Sequence, residues 1–372
     1  VIGDFTRWRG KLILGCDDSA KREFLNKRKA KGNIEGPGQS NSNLWFVDPE
    51  TPDMLGPTTA SGAVWIQDSV EAGIPSEPFL FAGWPERSCW ISHGSEGPVY
   101  FSFEVDRSGT GNWTSLMDIE VEAGSSKLLS FEEEEAGEWI RVRTGTSAVA
   151  TVQFCFNANE RRDSLPDPIF TGLARAEDKK ALGGLLYGLG SDRRSLGIAA
   201  AGFQGDEKTD HGYYELNEKL ELMPVNDPLT HRFIQEKFAI PEDVLSIEES
   251  SVLLVDDRGR RWRLPLGPDA QTPLMNSAFL RISREVATER DLFSCHGTFY
   301  ELPAENADGF AKIRPVSSHP FRIHDYASYR GMLVMTGIDS EMTESNENPH
   351  IIVSKDGKAA VWAGVIDDLW KL

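Results

Sequence analysis

Two stretches near opposite ends of the chain share one pattern. Residues 2–15 read Ile-Gly-Asp-Phe-Thr-Arg-Trp-Arg-Gly-Lys-Leu-Ile-Leu-Gly, and residues 323–337 read Ile-His-Asp-Tyr-Ala-Ser-Tyr-Arg-Gly-Met-Leu-Val-Met-Thr-Gly. Ile, Asp, two aromatic residues, the Arg-Gly pair and the apolar residues after it coincide in register. Apolar runs on both sides of a short polar pair are typical of an antiparallel hairpin. Repetition of one such unit predicts a fold built from equivalent β-sheets.

Weaker repeats extend this pattern through the chain. His211-Gly-Tyr-Tyr-Glu-Leu resembles His296-Gly-Thr-Phe-Tyr-Glu-Leu, and a strand, a polar turn and a Trp-containing strand occur over 252–264 and again over 351–362. Blades of a β-propeller are four-stranded antiparallel sheets that rely on their neighbours to cover both faces. The repeats therefore predict an all-β fold, specifically an irregular β-propeller of about five to seven blades. Convincing long amphipathic helices are missing from the sequence, which disfavours a parallel α/β fold.

The segment 85–158 has a different pattern, a clean alternation of apolar and polar residues that is typical of a sheet solvated on one side. We interpret it as an inserted antiparallel β-sandwich-like module between a first propeller part (1–84) and the remainder (159–372). Its Asp106–Asn112 turn is open to two interpretations, a structural calcium site or an ordinary glycine turn. No other cofactor is predicted.

The composition restricts the classes of partner. The chain has 372 residues, 58 of them acidic and 39 basic, for a net charge of −19. A field of that sign repels phosphates, so a nucleic-acid partner is disfavoured. No apolar run approaches the roughly 20 residues that span a bilayer, so no membrane span is predicted. The spacing of Cys16, Cys89, Cys155 and Cys295 does not fit a metal site, and a disulfide between Cys89 and Cys155 is left open. The oligomeric state is not predicted.

The densest group of reactive side chains runs from Arg290 to Tyr329. In a propeller the strand ends and loops meet on one face, which is the usual ligand site. The candidate catalytic residues are His324, Tyr326, His296, Arg322 and Tyr300; the candidate substrate-binding residues are Asp17, Asp18, His319, Arg290, Trp8 and Gln39. Asp325 recurs as Asp4 and is therefore interpreted as structural. His324 has Gly3 as its counterpart, which leaves the histidine free for a specific role.

Three stretches of the sequence also resemble those of other proteins. Residues Gly3–Asn43, His296–Leu302 and His324–Gly337 resemble a group of uncharacterised secreted bacterial proteins that look like β-propellers and are associated with polysaccharide breakdown. The resemblance implies a carbohydrate-active role on a carbohydrate substrate, and a secreted or periplasmic location. It supplies no catalytic residues.

Three functions remain open. A polysaccharide lyase would abstract a proton next to a uronate carboxylate, with His324 or His296 as base, Tyr326 or Tyr300 as proton donor and Arg322 over the carboxylate. The net negative charge is the main objection to it. A glycoside hydrolase would need a carboxyl pair, for which the candidates are Asp17, Asp18, Glu301 and Glu305. A non-catalytic propeller would bind carbohydrate or protein, with Trp8, Trp45 and Trp84 as stacking platforms.

Overall fold

The structure is a computed structural model, and it describes the chain in segments. These are residues 2–16, 43–158, 167–175, 177–189, 195–205, 207–238, 240–241, 243–267, 281, 283–287, 290–303, 307–329, 332–343, 347–365 and 368. The described part is all-β, with a single α-helix, α1 (Pro228–Phe238), and short 3-10 turns at Thr51–Met54, Glu133–Glu135, Pro168–Phe170 and Gly309–Lys312. None of its helices has both the length and the apolar character needed to cross a membrane.

The strands follow one another through almost the whole chain. The first are β1 (Ile2–Trp8), β2 (Lys11–Cys16), β3 (Asn43–Val47), β4 (Thr59–Val70), β5 (Phe79–Leu80), β6 (Glu86–His93), β7 (Val99–Asp106), β8 (Trp113–Val121), β9 (Ser126–Phe131), β10 (Trp139–Thr144), β11 (Ala148–Asn157), β12 (Lys180–Leu189), β13 (Ser195–Gln204) and β14 (Glu207–Leu216). The others are β15 (Leu222–Pro224), β16 (Leu245–Ile247), β17 (Val252–Val255), β18 (Arg261–Leu264), β19 (Ser283–Ala287), β20 (Arg290–Cys295), β21 (Thr298–Pro303), β22 (Arg314–Ser318), β23 (Asp325–Tyr329), β24 (Met332–Thr336), β25 (Ile338–Asp339), β26 (Ile351–Val353) and β27 (Ala360–Gly364).

These strands form six sheets in the described residues. Their strand orders are β1-β2-β3, β4-β11-β6-β9, β16-β17-β18-β5-β10-β7-β8, β15-β14-β13-β12-β25, β19-β20-β21-β22 and β23-β24-β27-β26. Strands β12 to β15 and β19 to β22 are meanders of four consecutive antiparallel strands, which is the arrangement of a propeller blade. These strand orders do not show whether the sheets close into a ring of five to seven blades, so the propeller stays a prediction.

The two repeated stretches form the same hairpin in different surroundings. In β1–β2 the register pairs Asp4 with Gly15, and in β23–β24 it pairs Asp325 with Thr336, which is the same offset. The first hairpin turns at Arg9 and Gly10, both at positive φ, which two-residue hairpin loops require. The exposure of the aromatic side chains differs between the two hairpins. Phe5 and Trp8 are 71% and 52% exposed, whereas their counterparts Tyr326 and Tyr329 are 0% and 2% exposed. The repeat therefore predicted the hairpin but not its packing.

Part of the chain folds as a sandwich of two antiparallel sheets. Eight strands between Thr59 and Asn157 make two facing sheets, β4-β11-β6-β9 and β5-β10-β7-β8. This strand order, with two interleaved Greek keys, is that of a double-sheet jelly roll. The sandwich therefore starts at β4, whereas the sequence placed the module boundary at residue 85. Strands β16 to β18 extend the second sheet through a parallel contact between Arg263 and Phe79.

The sandwich core is aromatic. Phe79 stacks on Phe154 at 5.1 Å, and Trp84 stacks on Phe156 at 5.1 Å. Trp84 is 3% exposed, so it is a core residue and not a stacking platform for a ligand. The same core continues through Trp139, whose indole N–H donates to the carbonyl of Ala311 at 2.9 Å. The sandwich and the β19–β22 sheet therefore share one hydrophobic interior.

A buried ion pair joins three of the other sheets. The Arg284 guanidinium on β19 donates to both carboxylate oxygens of Asp325 on β23, at 2.9 and 2.6 Å. The same carboxylate accepts the backbone N–H of Leu186 on β12 at 2.8 Å. Asp325 is completely buried. Its structural interpretation agrees with this position, because a buried carboxylate needs such partners.

The structure contradicts the disulfide that the sequence left open between Cys89 and Cys155. Cys89 lies opposite Phe154 and Cys155 lies opposite Ser88, so the two thiols are on opposite faces of the sheet. Cys89 faces the core and Cys155 faces solvent, and both are free. Burial raises the pKa of the Cys89 thiol well above its usual value.

The Asp106–Asn112 turn is organised by its own backbone. The Asp106 carboxylate is buried and accepts backbone N–H groups from Ser108, Thr110 and Gly111, at 3.1, 3.3 and 2.7 Å. This is the way in which Asp commonly stabilises a turn. No group of three or more His, Cys, Asp or Glu side chains in the described residues is arranged to hold a metal ion. The calcium site stays a prediction.

Candidate functional site

His324 is packed into the protein interior. It is 5% exposed, its ring lies 4.3 Å from that of Phe203, and a Cβ built on Gly183 would lie only 1.8 Å from its Nδ1. That nitrogen has no hydrogen-bond partner in the described residues. Burial, followed by the positive charges of Arg322 and Lys208, lowers the pKa of His324 to about 3. A base of that strength in a site without access to substrate does not suit proton abstraction.

The two candidate tyrosines are also core residues. Tyr326 is completely buried, donates its O–H to the carbonyl of Leu292 and meets the Phe299 ring edge-on at 5.6 Å. Tyr300 is completely buried too, 5.9 Å from the ring of Phe293. Burial raises the pKa of both phenols above the usual value. Neither hydroxyl reaches a surface on which a polysaccharide could lie.

The remaining candidates of this cluster are dispersed. His296 is 8% exposed and occupies a hairpin turn at φ 45°, with its carbonyl accepting from Gly267. His319 is 3% exposed and packs on Phe299 at 4.7 Å. Arg322 donates to the carbonyl of Asp178 at 3.0 Å. The positive charge of Arg322 acts on His324. Among the described residues, these side chains lie buried or half-buried at separate places among the sheets, and their joint role stays a prediction.

Several other candidates lie outside the described residues or are described only in part. Asp17, Asp18, Gln39 and Glu305 are outside them. Arg290 begins β20, where its backbone pairs with Pro303. Trp8 is exposed, with the Arg9 guanidinium 4.4 Å from its ring centre, and Trp45 packs against Leu14 and Val47 in the same small sheet.

An open surface of different character lies on the outer face of the first sandwich sheet. Three strands, β11, β6 and β9, each contribute three outward-facing positions, and we call these nine residues the Trp90 face. In rows across the strands they are Thr151, Ser92 and Ser126; Gln153, Trp90 and Leu128; and Cys155, Ser88 and Ser130. Trp90 at the centre is 40% exposed and Leu128 is 72% exposed.

The regular spacing of a sheet sets the dimensions of this face. Strands lie about 4.8 Å apart and alternate residues on one strand about 6.8 Å apart, so the grid measures about 10 by 14 Å. Two of its hydroxyls are oriented by the backbone. The Ser88 hydroxyl donates to the carbonyl of Cys155 at 3.3 Å, and the Thr151 hydroxyl accepts the N–H of Gln67 at 2.9 Å. The face thus presents fixed hydroxyl and amide groups around an indole ring.

The opposite outer face of the sandwich, in contrast, carries charged residues. There Glu104 pairs with Arg141 at 2.7 Å and also with Arg143, and Asp118 accepts from Ser102 at 2.5 Å. The Arg141 guanidinium covers the ring of Trp113 at 4.3 Å. Ion pairs thus occupy this face, whereas none of the nine positions of the Trp90 face carries a charge, in a chain in which 26% of residues are charged.

Sequence reasoning missed the Trp90 face. Each of its strands shows only an ordinary alternation of small polar and apolar residues. The face exists because the jelly-roll connection places β11 between β4 and β6, and β9 beyond β6. The one local signal is Trp90 at a position that alternates outward between the buried Cys89 and Ile91.

Comparisons with known proteins add little. No family model matches the chain, and no curated protein matches it. Among solved structures, a chain from work titled "Bacillus endospore appendages form a novel family of disulfide-linked pili" matches with 16% identity, over 27% of this chain and 90% of that chain, at a TM-score of 0.20. A score that low does not establish a shared fold.

Proposed function

We propose that this protein binds carbohydrate through the Trp90 face of its sandwich, without catalysing a reaction there. The observation that carries the proposal is the combination, on one sheet surface, of an exposed indole and eight uncharged neighbours. An indole offers a large rigid apolar surface that stacks on the C–H face of a sugar ring. Hydroxyl and amide groups around it donate to and accept from sugar hydroxyls.

The ligand class follows from the charge. The chain carries a net charge of −19, which repels acidic polysaccharides. The Trp90 face offers no cation that would compensate for this repulsion. A neutral polysaccharide is therefore the ligand, and the length of the face, about 14 Å, has room for more than one sugar ring.

The fold proposal that accompanies this function is a propeller beside the sandwich. The meanders β12–β15 and β19–β22, and the contact of β12, β19 and β23 around Asp325, support an irregular ring of blades. Attachment to polysaccharide also fits a secreted or periplasmic protein. The lyase loses support, because its proposed base and proton donors are buried.

The test is binding to a panel of polysaccharides. Affinity electrophoresis with neutral polymers (cellulose derivatives, xylan, mannan) and with acidic ones (pectate, alginate) should retard the protein only in neutral gels. Trp90→Ala should weaken the binding about thirtyfold, which corresponds to the roughly 2 kcal/mol that removal of a central aromatic contact costs.

The matched control is Tyr100→Ala on the opposite outer face. Tyr100 is 53% exposed, so its removal changes a similar surface without touching the Trp90 face. It should bind like the unmodified protein. Equal weakening by both substitutions, or retardation in the acidic gels alone, would contradict the proposal.

A further inference from the structure

A small cleft lies away from the Trp90 face, where residues 167–178 meet β25 and Phe321. Its volume is about 220 Å³, and its lining includes Asp167, Asp178, Asp339, Arg175, Phe170 and Phe321. Pockets for drug-sized ligands measure about 300–1,000 Å³, so the occupant of this cleft is smaller, at most a single sugar ring in size. Among the described residues, the lining contains none of those proposed from sequence.

The carboxylates around the cleft retain unused acceptors. Each accepts one backbone N–H: Asp167 through Oδ1 at 3.0 Å, Asp178 through Oδ2 at 2.6 Å and Asp339 through Oδ1 at 2.9 Å. Within the described residues, none of the three pairs with a cation. A carboxylate has room for about four hydrogen bonds, so each can accept more from a ligand.

The floor of the cleft is apolar and held in place. The rings of Phe170 and Phe321 lie 6.0 Å apart, and Phe170 stacks on Trp362 at 5.2 Å. The Trp362 indole N–H donates to the carbonyl of Ile169 at 2.8 Å, which fixes the segment that carries Phe170. The guanidinium of Arg175 lies 5.8 Å from the Phe321 ring and is the one basic group among the described residues of the lining.

We propose that this cleft binds a small protonated amine that carries hydroxyl groups, of the amino-sugar class. Three carboxylates against one guanidinium give a formal charge of −2, which attracts a cation. Spare carboxylate oxygens accept from ammonium and hydroxyl groups, and the buried rings of Phe170 and Phe321 form the apolar floor beneath them. A metal ion fits less well, because these carboxylates, among the described residues, do not gather into a coordinating group.

The experiment compares glucosamine with glucose, which have the same ring and differ in the amine. Calorimetric titration at pH 7 and low salt should detect glucosamine binding and no glucose binding. Asp178→Asn and Asp339→Asn should each weaken glucosamine binding about fivefold, and binding should weaken as salt is added. Asparagine keeps an oxygen that accepts the backbone N–H, and thermal unfolding of each variant checks that the fold is intact.

The controls separate this site from the Trp90 face. Trp90→Ala should leave glucosamine binding unchanged, so a failure of either proposal is visible without the other. Asp118→Asn, an exposed carboxylate on the sandwich, should also have no effect. Equal binding of glucose and glucosamine, the absence of glucosamine binding, or full binding by both cleft variants would overturn the proposal.

Discussion

Acidification should destabilise this protein through two buried histidines. His319 and His324 are 3% and 5% exposed, and burial is the main cause that lowers the pKa of each from its ordinary 6.5 to about 3. In the unfolded chain both imidazoles take up a proton near pH 6.5, whereas the folded protein keeps them neutral down to about pH 3. The unfolded state therefore binds more protons across that window, and the free energy of unfolding falls as the pH falls.

The magnitude follows from the width of the window. Each histidine lowers the free energy of unfolding by about 1.4 kcal/mol for every pH unit below 6.5. At pH 5 this amounts to about 2 kcal/mol for each, or about 4 kcal/mol together. A domain is typically stable by only about 5–15 kcal/mol, so the loss is large. Above pH 6.5 neither histidine contributes to the pH dependence.

The assay is urea denaturation followed by tryptophan fluorescence at pH 7, 6 and 5. His324→Phe keeps a ring of similar shape against Phe203 and cannot take up a proton. It should reduce the slope of unfolding free energy against pH by about 1.4 kcal/mol per unit, and His319→Phe should do the same. His211→Gln, in a half-buried ring position, serves as the control. An unchanged slope in the double variant would refute the reasoning.

Two stability predictions concern other contacts. Asp325→Ala leaves the Arg284 guanidinium buried without its carboxylate partner and should lower the free energy of unfolding by about 3–5 kcal/mol in urea denaturation. Asp118→Ala, at an exposed position, should lower it by less than about 1 kcal/mol. Equal losses in the two variants would contradict the importance of the buried pair. Gly183→Ala places a Cβ against His324 and should cost about 1–3 kcal/mol, whereas Gly97→Ala, with open space around it, should change stability by less than about 1 kcal/mol.

The sequence predicted much of the local structure. Alternation of apolar and polar residues indicated antiparallel strands within 85–158, because a half-buried strand must alternate. The repeat around Arg9-Gly10 predicted a hairpin in the observed register. Burial of its aromatic residues could not be predicted, because Phe5 and Tyr326 occupy the same place in the pattern, and their neighbours come from distant parts of the chain.

The contacts of the candidate site residues could not be predicted for a related reason. His319, Arg322, His324 and Tyr326 are neighbours in sequence, but only Tyr326 lies on a strand, and their partners come from distant parts of the chain. Arg322 donates to the carbonyl of Asp178, His324 packs on Phe203, and Tyr326 donates to the carbonyl of Leu292. The same holds for the Trp90 face, since residues 88, 128 and 153 become neighbours only through the strand order of the jelly roll.

The ion pair at Asp325 has a consequence for the order of folding. The groups that it joins, Leu186, Arg284 and Asp325, come from three sheets, and Leu186 and Asp325 are separated by 139 positions. Contacts between residues so distant in the chain form late, since the intervening loop must first be closed. During synthesis, Arg284 is made before Asp325, so its charge has no carboxylate partner until Asp325 follows. Strand edges of β12 and β19 that stay uncovered until residue 325 is made favour aggregation during that interval.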